Sequence, residues 1–578
     1  MPRQIPAAGK QNFSVIIQNN YFYVDKTKFI KNWWIGGDDV TLITRPRRFG
    51  KTLMLDTVKT FFSPEFADRS DLFEGLEIWK DEQFRNLQGT IPVIFLSFAD
   101  INEKAYPETI KRIKECLNDI YNNFSDILDQ NLFSERDKRQ FDSVQESMSD
   151  TTAKTALRYL AKYLVRQGFP KPIILLDEYD TPLQDAWSYK YWDELVIFFR
   201  GFFNSTFKTN PYLERGLISV ITRIAKESIF SDLNNLKVVT ITSDLYSDCF
   251  GFTEQEVFKD MDTYGLTNKE EVKQWYDGFI FGKQKEIYNP WSIINFLSDK
   301  ELDTYWANTS SNSLVSDLLM YSDSTVKKQT ESLLNDKSIV TKLDEQIVFK
   351  ELYKKKGAIW SLLMAAGYVK PITVNRLSKQ YELAITNLEA KIILEDKISG
   401  WFNELSNDYD YDNNNFLKVL LENDLYLMNK IMNKIIIRTF SYFDTKNTTR
   451  DGINEAKNFY HCFVLGLLVN LKDRYSITSN HESGYGRYDI CLYPKNSGDH
   501  GIVIEFKAIN TDNEKNLKKT CDNALKQIKD KGYITDLLAH NVPKNNIYVY
   551  GFAFQGKKVL ICGGAEEEID WMTILGNN

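Results

Sequence analysis

Short apolar runs alternate with amphipathic stretches over the first 235 residues. Runs at 40–43, 91–98, 171–180 and 216–223 are too short for helices and are typical of buried parallel strands. Between 107 and 170, isoleucines and leucines recur every three or four residues, as at Ile110, Ile113 and Leu117, which predicts helices. Strands that alternate with helices predict an α/β domain whose parallel sheet carries helices on both faces.

The pattern changes after this first part. Residues 236–340 mix aromatic phrases such as WYDGF, YNPWS and YWANTS, and 341–430 read as helical with a linker-like end at 408–415. From about 450, the pattern predicts an apolar helix at 459–471, strands at 486–493 and 501–508, a lysine-rich helix at 513–531, and strands at 546–554 and 558–562. We therefore predict three domains: an α/β domain at 13–235, a mostly helical middle region at 236–430, and a second α/β domain at 431–575.

Composition restricts the classes of protein that fit. The chain has 578 residues, which is too long for one core, and its 43% hydrophobic content favours globular folding. A net charge of −7 excludes a strongly basic coat for nucleic acid, and four histidines make a histidine-rich zinc site improbable. Six scattered cysteines without a C-x-x-C motif indicate reduced thiols. Because no apolar run is long enough for a signal or a membrane span, we expect a cytoplasmic protein.

Candidate chemistry begins at 44–55, where the sequence TRPRRFGKTLML joins the first predicted strand to a helix. Gly50, Lys51 and Thr52 form the core of a phosphate-binding P-loop, in which Lys51 would reach the β- and γ-phosphates and Thr52 would ligate Mg²⁺. The usual loop has glycine where this chain has Arg45, and an unrelated turn in a basic loop is the alternative. The predicted nucleotide-binding residues here are Arg45, Arg47, Arg48, Phe49, Gly50, Lys51, Thr52 and Leu53.

An acidic pair at the end of the third run supports the nucleotide site. Asp177 would hold Mg²⁺, and Glu178 would orient the attacking water, since phosphoryl transfer needs mainly positioning and charge neutralisation. At the end of the next run, Ser219 or Thr222 would sense the γ-phosphate and Arg223 would neutralise developing charge. A solvated strand end is the alternative for these last residues.

Several phrases together resemble a family. FYVDKTKFI, ITRPRRFGKTLML, IILLDEYD and RIAKESIFSDLNNL, followed by WYDGF, YNPWS and YWANTS, are similar to the bacterial AAA-ATPase-like proteins that pair a P-loop domain with a C-terminal nuclease-like domain. In that family the R-P-R-R-F-G-K loop replaces the glycine-rich one, which accounts for Arg45. Family members usually have Thr-Gly where this chain has Ser219 and Val220. The resemblance implies ATP and Mg²⁺ as cofactors.

The C-terminal part of the chain carries a second group of candidate catalytic residues. Glu505 and Lys507 lie two residues apart in a predicted strand, so their side chains point to one face while Phe506 packs on the other. With Asp489 on a neighbouring strand, they resemble the D…E-x-K arrangement of the PD-(D/E)XK nuclease superfamily, a restriction-endonuclease-like fold. Asp489 and Glu505 would bind Mg²⁺ or Mn²⁺, and Lys507 would position water or stabilise the phosphoryl oxygens.

Further residues enter through this resemblance. In related nucleases a glutamine on the following helix supports the metal site or contacts the substrate, which implies a role for Gln527. An acidic residue from the preceding helix often completes the metal ligands; Glu455 is the candidate and Glu482 the alternative. Lysines on the 513–531 helix fit a DNA backbone partner or are simply a solvated face: Lys515, Lys518, Lys519 and Lys526.

The sequence therefore predicts an ATP-binding, ATP-hydrolysing protein coupled to a metal-dependent DNA endonuclease or exonuclease. One alternative is a nucleotide-switched regulator or scaffold with an inactive nuclease-like domain that only binds nucleic acid. The other is an RNA nuclease. The sequence leaves open whether the chain forms a homo-oligomer.

Overall fold

The computed structural model describes residues 4–125, 128, 132–221, 229–230, 232–306, 318–319, 324–343, 345, 357–375, 377–404, 413–439, 464, 468, 471, 473–479, 482–483, 486–509, 514, 516–555 and 558–576. The chain divides into two compact units, residues 1–311 with 338–392 and residues 312–337 with 393–578. The boundaries predicted at 235 and 430 stay predictions. None of the helices in these described ranges combines the length and the apolarity that crossing a bilayer requires.

A parallel five-stranded sheet forms the centre of the first unit. Its strands are β1 (Val40–Thr44), β2 (Val93–Ser97), β3 (Ile173–Asp177), β4 (Arg215–Val220) and β5 (Leu236–Val239), in the order β2-β3-β4-β1-β5. Every residue of β1 and of β3 is buried, so both faces of these strands are covered, as the unbroken apolar runs predicted. The predicted α/β class and parallel sheet are confirmed.

The helices predicted from the 3.6-residue period after the P-loop and between 107 and 170 are present, and further helices precede and follow them. Over the first 311 residues they are α1 (Phe13–Gln18), α2 (Lys28–Gly36), α3 (Lys51–Phe62), α4 (Glu82–Arg85), α5 (Tyr106–Ser125), α6 (Glu135–Asp142), α7 (Asp150–Arg166), α8 (Asp180–Ser188), α9 (Trp192–Phe207), α10 (Glu254–Tyr264), α11 (Lys269–Tyr276) and α12 (Pro290–Asp299). Met54, Val58 and Phe61 of α3 pack into a core with Leu175 and Leu217 of the sheet. This packing fixes α3, and with it the loop before Lys51, against the carboxyl ends of β1, β3 and β4.

Two small antiparallel sheets belong to the middle of the chain. One has the order β6-β8-β7 with β6 (Phe252–Thr253), β7 (Phe279–Phe281) and β8 (Gln284–Tyr288). The other has the order β10-β11-β9 with β9 (Ile339–Lys342), β10 (Val369–Asn375) and β11 (Gln380–Ile385). The prediction of helix throughout 341–430 is wrong at β10 and β11, and in the first half of β11 burial alternates every second residue, as at Tyr381 and Leu383.

Helices nonetheless predominate in the middle of the chain. They are α13 (Ser324–Leu334), α14 (Ala358–Ala366), α15 (Leu388–Glu404), α16 (Asn413–Leu421) and α17 (Leu425–Thr439). Most of the linker predicted at 408–415 lies outside the described residues, and α16 begins at Asn413. Among the aromatic residues of 275–306, Tyr276, Tyr288 and Trp306 are buried in the core, while Trp275 and Trp291 are half-buried.

The second unit contains a mixed five-stranded sheet of order β12-β15-β16-β17-β18, with β13 and β14 as a separate pair. The strands are β12 (Tyr475–Ser479), β13 (Glu482–Ser483), β14 (Gly486–Arg487), β15 (Ile490–Pro494), β16 (Gly501–Ala508), β17 (Ile547–Gln555) and β18 (Lys558–Ala565). The parallel strands β16 and β17 are joined through α18 (Leu517–Lys531) and α19 (Thr535–Ala539), and α20 (Trp571–Gly576) follows the sheet. Most of the helix predicted at 459–471 lies outside the described residues.

Candidate functional site

The loop between β1 and α3 has two residues with left-handed backbone. Gly50 has φ 75° and precedes the first residue of α3, while Arg48 has φ 66°. A non-glycine residue in this conformation costs about 1–2 kcal/mol, which the surrounding fold must offset. The loop is therefore held in a strained conformation at the point where helix amides face outward and favour an anion.

The side chain of Lys51, the first residue of α3, reaches back into this loop. Its Nζ donates to the main-chain carbonyl oxygens of Arg45, at 3.1 Å, and Pro46, at 2.9 Å. Burial lowers the pKa of Lys51, and the negative charges of Glu178 and Asp177 oppose that shift. An ammonium held by carbonyl dipoles beside two carboxylates is suited to exchange those contacts for phosphate oxygens.

Asp177 lies at the centre of the acidic side of the site. Strand register sets it opposite Ser219, and its carboxylate accepts hydrogen bonds from Thr52 Oγ1 and from Ser219 Oγ, each at 2.7 Å. Burial raises the pKa of Asp177 in spite of these two hydrogen bonds. A hydroxyl and a carboxylate in contact are hard oxygen ligands, so Thr52 and Asp177 fit a magnesium ion.

Glu178 follows with strained backbone of its own, at φ 51°. Its N–H donates to the Ser219 carbonyl oxygen at 3.0 Å, and Thr181 Oγ1 is 3.5 Å from its Oε2. The next acid, Asp180, accepts a hydrogen bond from Ile221 N at 3.2 Å. Predicted residues Thr222 and Arg223 lie outside the described residues.

The side chain of Arg45, predicted to bind nucleotide, points into the protein and contacts main-chain carbonyls. Its guanidinium is fully buried and donates to the carbonyl oxygens of Thr240, at 3.0 Å, and Tyr246, at 3.2 Å. It also lies 4.7 Å from the centre of the Phe281 ring. Arg45 therefore offers Lys51 its main-chain carbonyl, while its side chain ties the loop to the segment after β5.

The remaining loop residues divide between core and surface. Phe49 is buried against the rings of Phe279 and Phe281, whose centres are 4.7 and 5.3 Å away. The Arg48 guanidinium lies 4.1 Å from the Trp291 ring centre, a cation–π contact that no local sequence pattern predicts. Arg47 and Leu53 are half-buried.

The second site is built on the mixed sheet. Because Ile490 pairs with Ile504 in antiparallel register, Asp489 falls opposite Glu505, and Asp489 Oδ2 accepts a hydrogen bond from Phe506 N at 2.8 Å. Both carboxylates are buried. Two buried carboxylates on adjacent strands are a donor set that fits Mg²⁺ or Mn²⁺, since the cation offsets the cost of burying their charge.

Gln527 of α18 links the remaining members of this site. Its Nε2 donates to Glu505 Oε1 at 2.7 Å, and its Oε1 accepts from Lys507 Nζ at 2.7 Å. Its Nε2 also lies 3.1 Å from the hydroxyl of Tyr533, a buried residue that sequence reasoning missed and that follows the end of α18. The structure thus brings Asp489, Glu505, Lys507 and Gln527 into one cluster.

The predicted third carboxylate is not among the groups described. Glu455 lies outside the described residues, as does Lys515 of the basic face. Of Glu482 only the backbone, in β13, is described. Lys518 forms an ion pair with Asp522 at 3.0 Å, which is typical of a solvated helix face.

Comparison with known proteins agrees with this arrangement. Residues 7–230, which contain the loop site, match the predicted AAA-ATPase family model, and residues 455–563, which contain the cluster around Gln527, match the PD-(D/E)XK nuclease superfamily. A protein of Azotobacter chroococcum mcd 1, described as an uncharacterized protein in the vnfD 5′ region, is 24% identical and covers 98% of this chain and 100% of its own. The domain pairing expected from the motifs is confirmed.

Proposed function

We propose that this chain, which pairs a predicted AAA-ATPase domain with a PD-(D/E)XK nuclease superfamily domain, is a cytoplasmic, ATP-dependent and metal-dependent DNA nuclease. The observation that carries the proposal is the amide of Gln527, which contacts the Glu505 carboxylate and the Lys507 ammonium at 2.7 Å each. A carboxylate and a lysine fixed at this spacing, beside a second buried carboxylate, suit phosphodiester hydrolysis better than binding alone.

Each member of the cluster has a distinct task in this proposal. Asp489 and Glu505 would hold Mg²⁺ or Mn²⁺, which when bound lowers the pKa of water and offsets charge on the scissile phosphate. The Lys507 ammonium would contact a phosphoryl oxygen or the attacking water. Gln527 keeps Lys507 and Glu505 at a fixed separation, so the ammonium does not collapse onto the carboxylate.

The loop site would supply the nucleotide dependence. Lys51 and the first amides of α3 would bind the phosphates of ATP, and Thr52 and Asp177 would hold the accompanying Mg²⁺. Glu178 would orient water for hydrolysis. The Arg48 guanidinium, near Glu178 and stacked on Trp291, would add positive charge at the same place.

Cleavage of supercoiled plasmid by the purified chain, with Mg²⁺ or Mn²⁺ and with or without ATP, tests the proposal. Glu505→Gln keeps the size of the side chain and should abolish cleavage while the chain remains folded. Lys51→Ala should remove the effect of ATP. Glu567→Gln, an exposed acid of the same domain, and Lys59→Ala, on α3, are the matched controls and should behave as the unaltered protein.

Two outcomes would overturn the proposal. Cleavage that persists in Glu505→Gln would show that the cluster does not act on the phosphodiester. A DNA-stimulated ATPase rate that is unchanged by Lys51→Ala would show that the loop before α3 is not the ATP site.

Arg45 favours a second candidate function. Its guanidinium is buried where the usual loop has glycine, so the loop departs from the glycine-rich form that cradles phosphates, which suits a switch or scaffold role. ATP binding without measurable hydrolysis or cleavage would support that candidate. Cleavage of an RNA substrate, but not of plasmid DNA, under the same conditions would instead assign the substrate to RNA.

A further inference from the structure

Two cysteines of the second unit are in contact. Cys521 lies on α18 and Cys562 on β18, and each thiol is close enough to shift the pKa of the other. Cys521 Sγ also donates to the Gly551 carbonyl oxygen at 3.0 Å, and Gly551 is the strand partner of Cys562. The cysteines in the described part of the chain are all free thiols.

This pair shares a sheet row with the catalytic cluster. Glu505, Gly551 and Cys562 pair in register across β16, β17 and β18, so they face the same side of the sheet. The helix α18 covers that side closely, because a Cβ atom on Gly551 would lie 2.9 Å from the Cys521 carbonyl oxygen. The helix α18 therefore contacts this row at two points, through Gln527 at Glu505 and through Cys521 at the Gly551 carbonyl oxygen.

The surroundings make the two thiols unequal. Lys518 Nζ lies 3.7 Å from Cys562 Sγ, and Cys562 is 9% exposed while Cys521 is fully buried. The Cys521 side chain and the nearby Lys518 lower the pKa of Cys562, whereas burial raises the pKa of Cys521 well above its usual value. A thiolate next to a cation is the reactive form of cysteine.

We propose that Cys562 and Cys521 are an oxidation site at which a hydroperoxide forms a disulfide that clamps α18 to β18 and alters the nuclease cluster. The Cys562 thiolate attacks the peroxide oxygen, the O–O bond breaks, and the alkoxide or hydroxide leaves and takes up a proton. The Cys521 thiol then attacks the resulting sulfenic acid, the S–S bond forms, the S–O bond breaks, and water leaves. Two thiols are oxidised and one peroxide is reduced, a transient chemistry that is compatible with a reducing compartment.

A chemical readout tests the site without reference to activity. The full chain is treated with hydrogen peroxide, alkylated, digested and mapped by mass spectrometry without reduction. We expect a linked peptide pair containing Cys521 and Cys562, lighter by two hydrogens and separated by dithiothreitol. Cys562→Ser should abolish the linked pair, whereas Cys116→Ser, at a half-buried cysteine of α5, should leave it unchanged.

Recovery of Cys521 and Cys562 in alkylated form after peroxide treatment, or of Cys562 only as higher oxides, would overturn the proposal. The effect on cleavage rests on the proposed nuclease function and is measured separately. Peroxide should change the cleavage rate several-fold, reversibly with dithiothreitol, in the unaltered chain but not in Cys521→Ser. A disulfide that forms without any cleavage before or after oxidation would keep the oxidation site and reject the nuclease.

Discussion

The two candidate sites each place a buried carboxylate near a lysine but hold these groups by different means. In the first, Asp177 is held by the hydroxyls of Thr52 and Ser219, while Lys51 is held by main-chain carbonyls of a strained loop. In the second, one amide, that of Gln527, joins carboxylate and lysine, and every member lies on or next to regular strands and a helix.

This difference matters because the two kinds of contact respond differently to a ligand. A hydroxyl can rotate and either donate or accept, and a loop with left-handed residues stores strain that a ligand can relieve. An amide between a strand and a packed helix has one arrangement. The first site is thus suited to binding and releasing a nucleotide, and the second to presenting the same geometry to each substrate.

The sharpest test of the rigid site is Lys507→Met, which keeps the aliphatic chain and removes the charge. We expect cleavage to fall about 100- to 1,000-fold, as for loss of a preorganised transition-state contact. The metal concentration that gives half-maximal cleavage should not change. Lys531→Met, at an exposed lysine of α18, is the control, and a comparable fall there would assign the effect to general DNA affinity.

Gln527→Leu removes the amide while preserving the helix. Because supporting residues of metal sites typically contribute 10- to 100-fold, we expect cleavage to require about 10- to 100-fold more Mg²⁺. Titration of the metal in the plasmid assay measures this, with Asp530→Asn on the same helix as control. An unchanged metal requirement would show that Glu505 does not depend on the amide.

Two glycine substitutions separate backbone strain from packing. Gly551→Ala has ordinary backbone but brings its Cβ to 2.9 Å from the Cys521 carbonyl oxygen, so we expect a loss of about 1–3 kcal/mol in the free energy of unfolding. Gly50→Ala meets no atom within 4 Å, and its cost, about 1–2 kcal/mol, comes from φ 75° alone. Denaturant unfolding measures both. Gly50→Ala should also weaken nucleotide binding, and Gly551→Ala should weaken metal binding at the second site. If neither variant changes its own site, the contrast drawn between the two sites is wrong.

The smallest expected effect is a gain in stability from Asp177→Asn. Burial raises the folded-state pKa of Asp177 above its unfolded value, so ionisation weakens the fold. That cost is absent below the unfolded pKa, about 4, and is fully present above the folded-state pKa. Without nucleotide and metal, Asp177→Asn should therefore melt higher than the unaltered chain at alkaline pH, and the difference should shrink on acidification.

Asp68→Asn, at an exposed acid, is the control for this measurement. Addition of Mg²⁺ and ATP should raise the thermal midpoint of the unaltered chain but not that of Asp177→Asn. A midpoint that is lowered by Asp177→Asn under all conditions would contradict the sign of the pKa shift.

Prediction from the sequence succeeded where local patterns determine structure. Apolar runs located β1 to β4, and the two-residue spacing of Glu505 and Lys507 placed both on one face. Contacts between distant segments left no such signal: the carbonyls of Thr240 and Tyr246 around Arg45 and the ring of Trp291 beneath Arg48 depend on how the chain returns to the loop. Strands β10 and β11 were missed because their two-residue alternation is short and is flanked by helices.

The burial of Arg45 limits how the chain can be divided. The family match ends at residue 230, but the groups that enclose the guanidinium, namely Thr240, Tyr246 and Phe281, come later in the chain. A fragment cut at the end of the match would expose Arg45 and lose the support of its loop. Any fragment that keeps the support of this loop therefore needs the segment up to β7, and recombination between relatives would have to transfer the loop and that segment together.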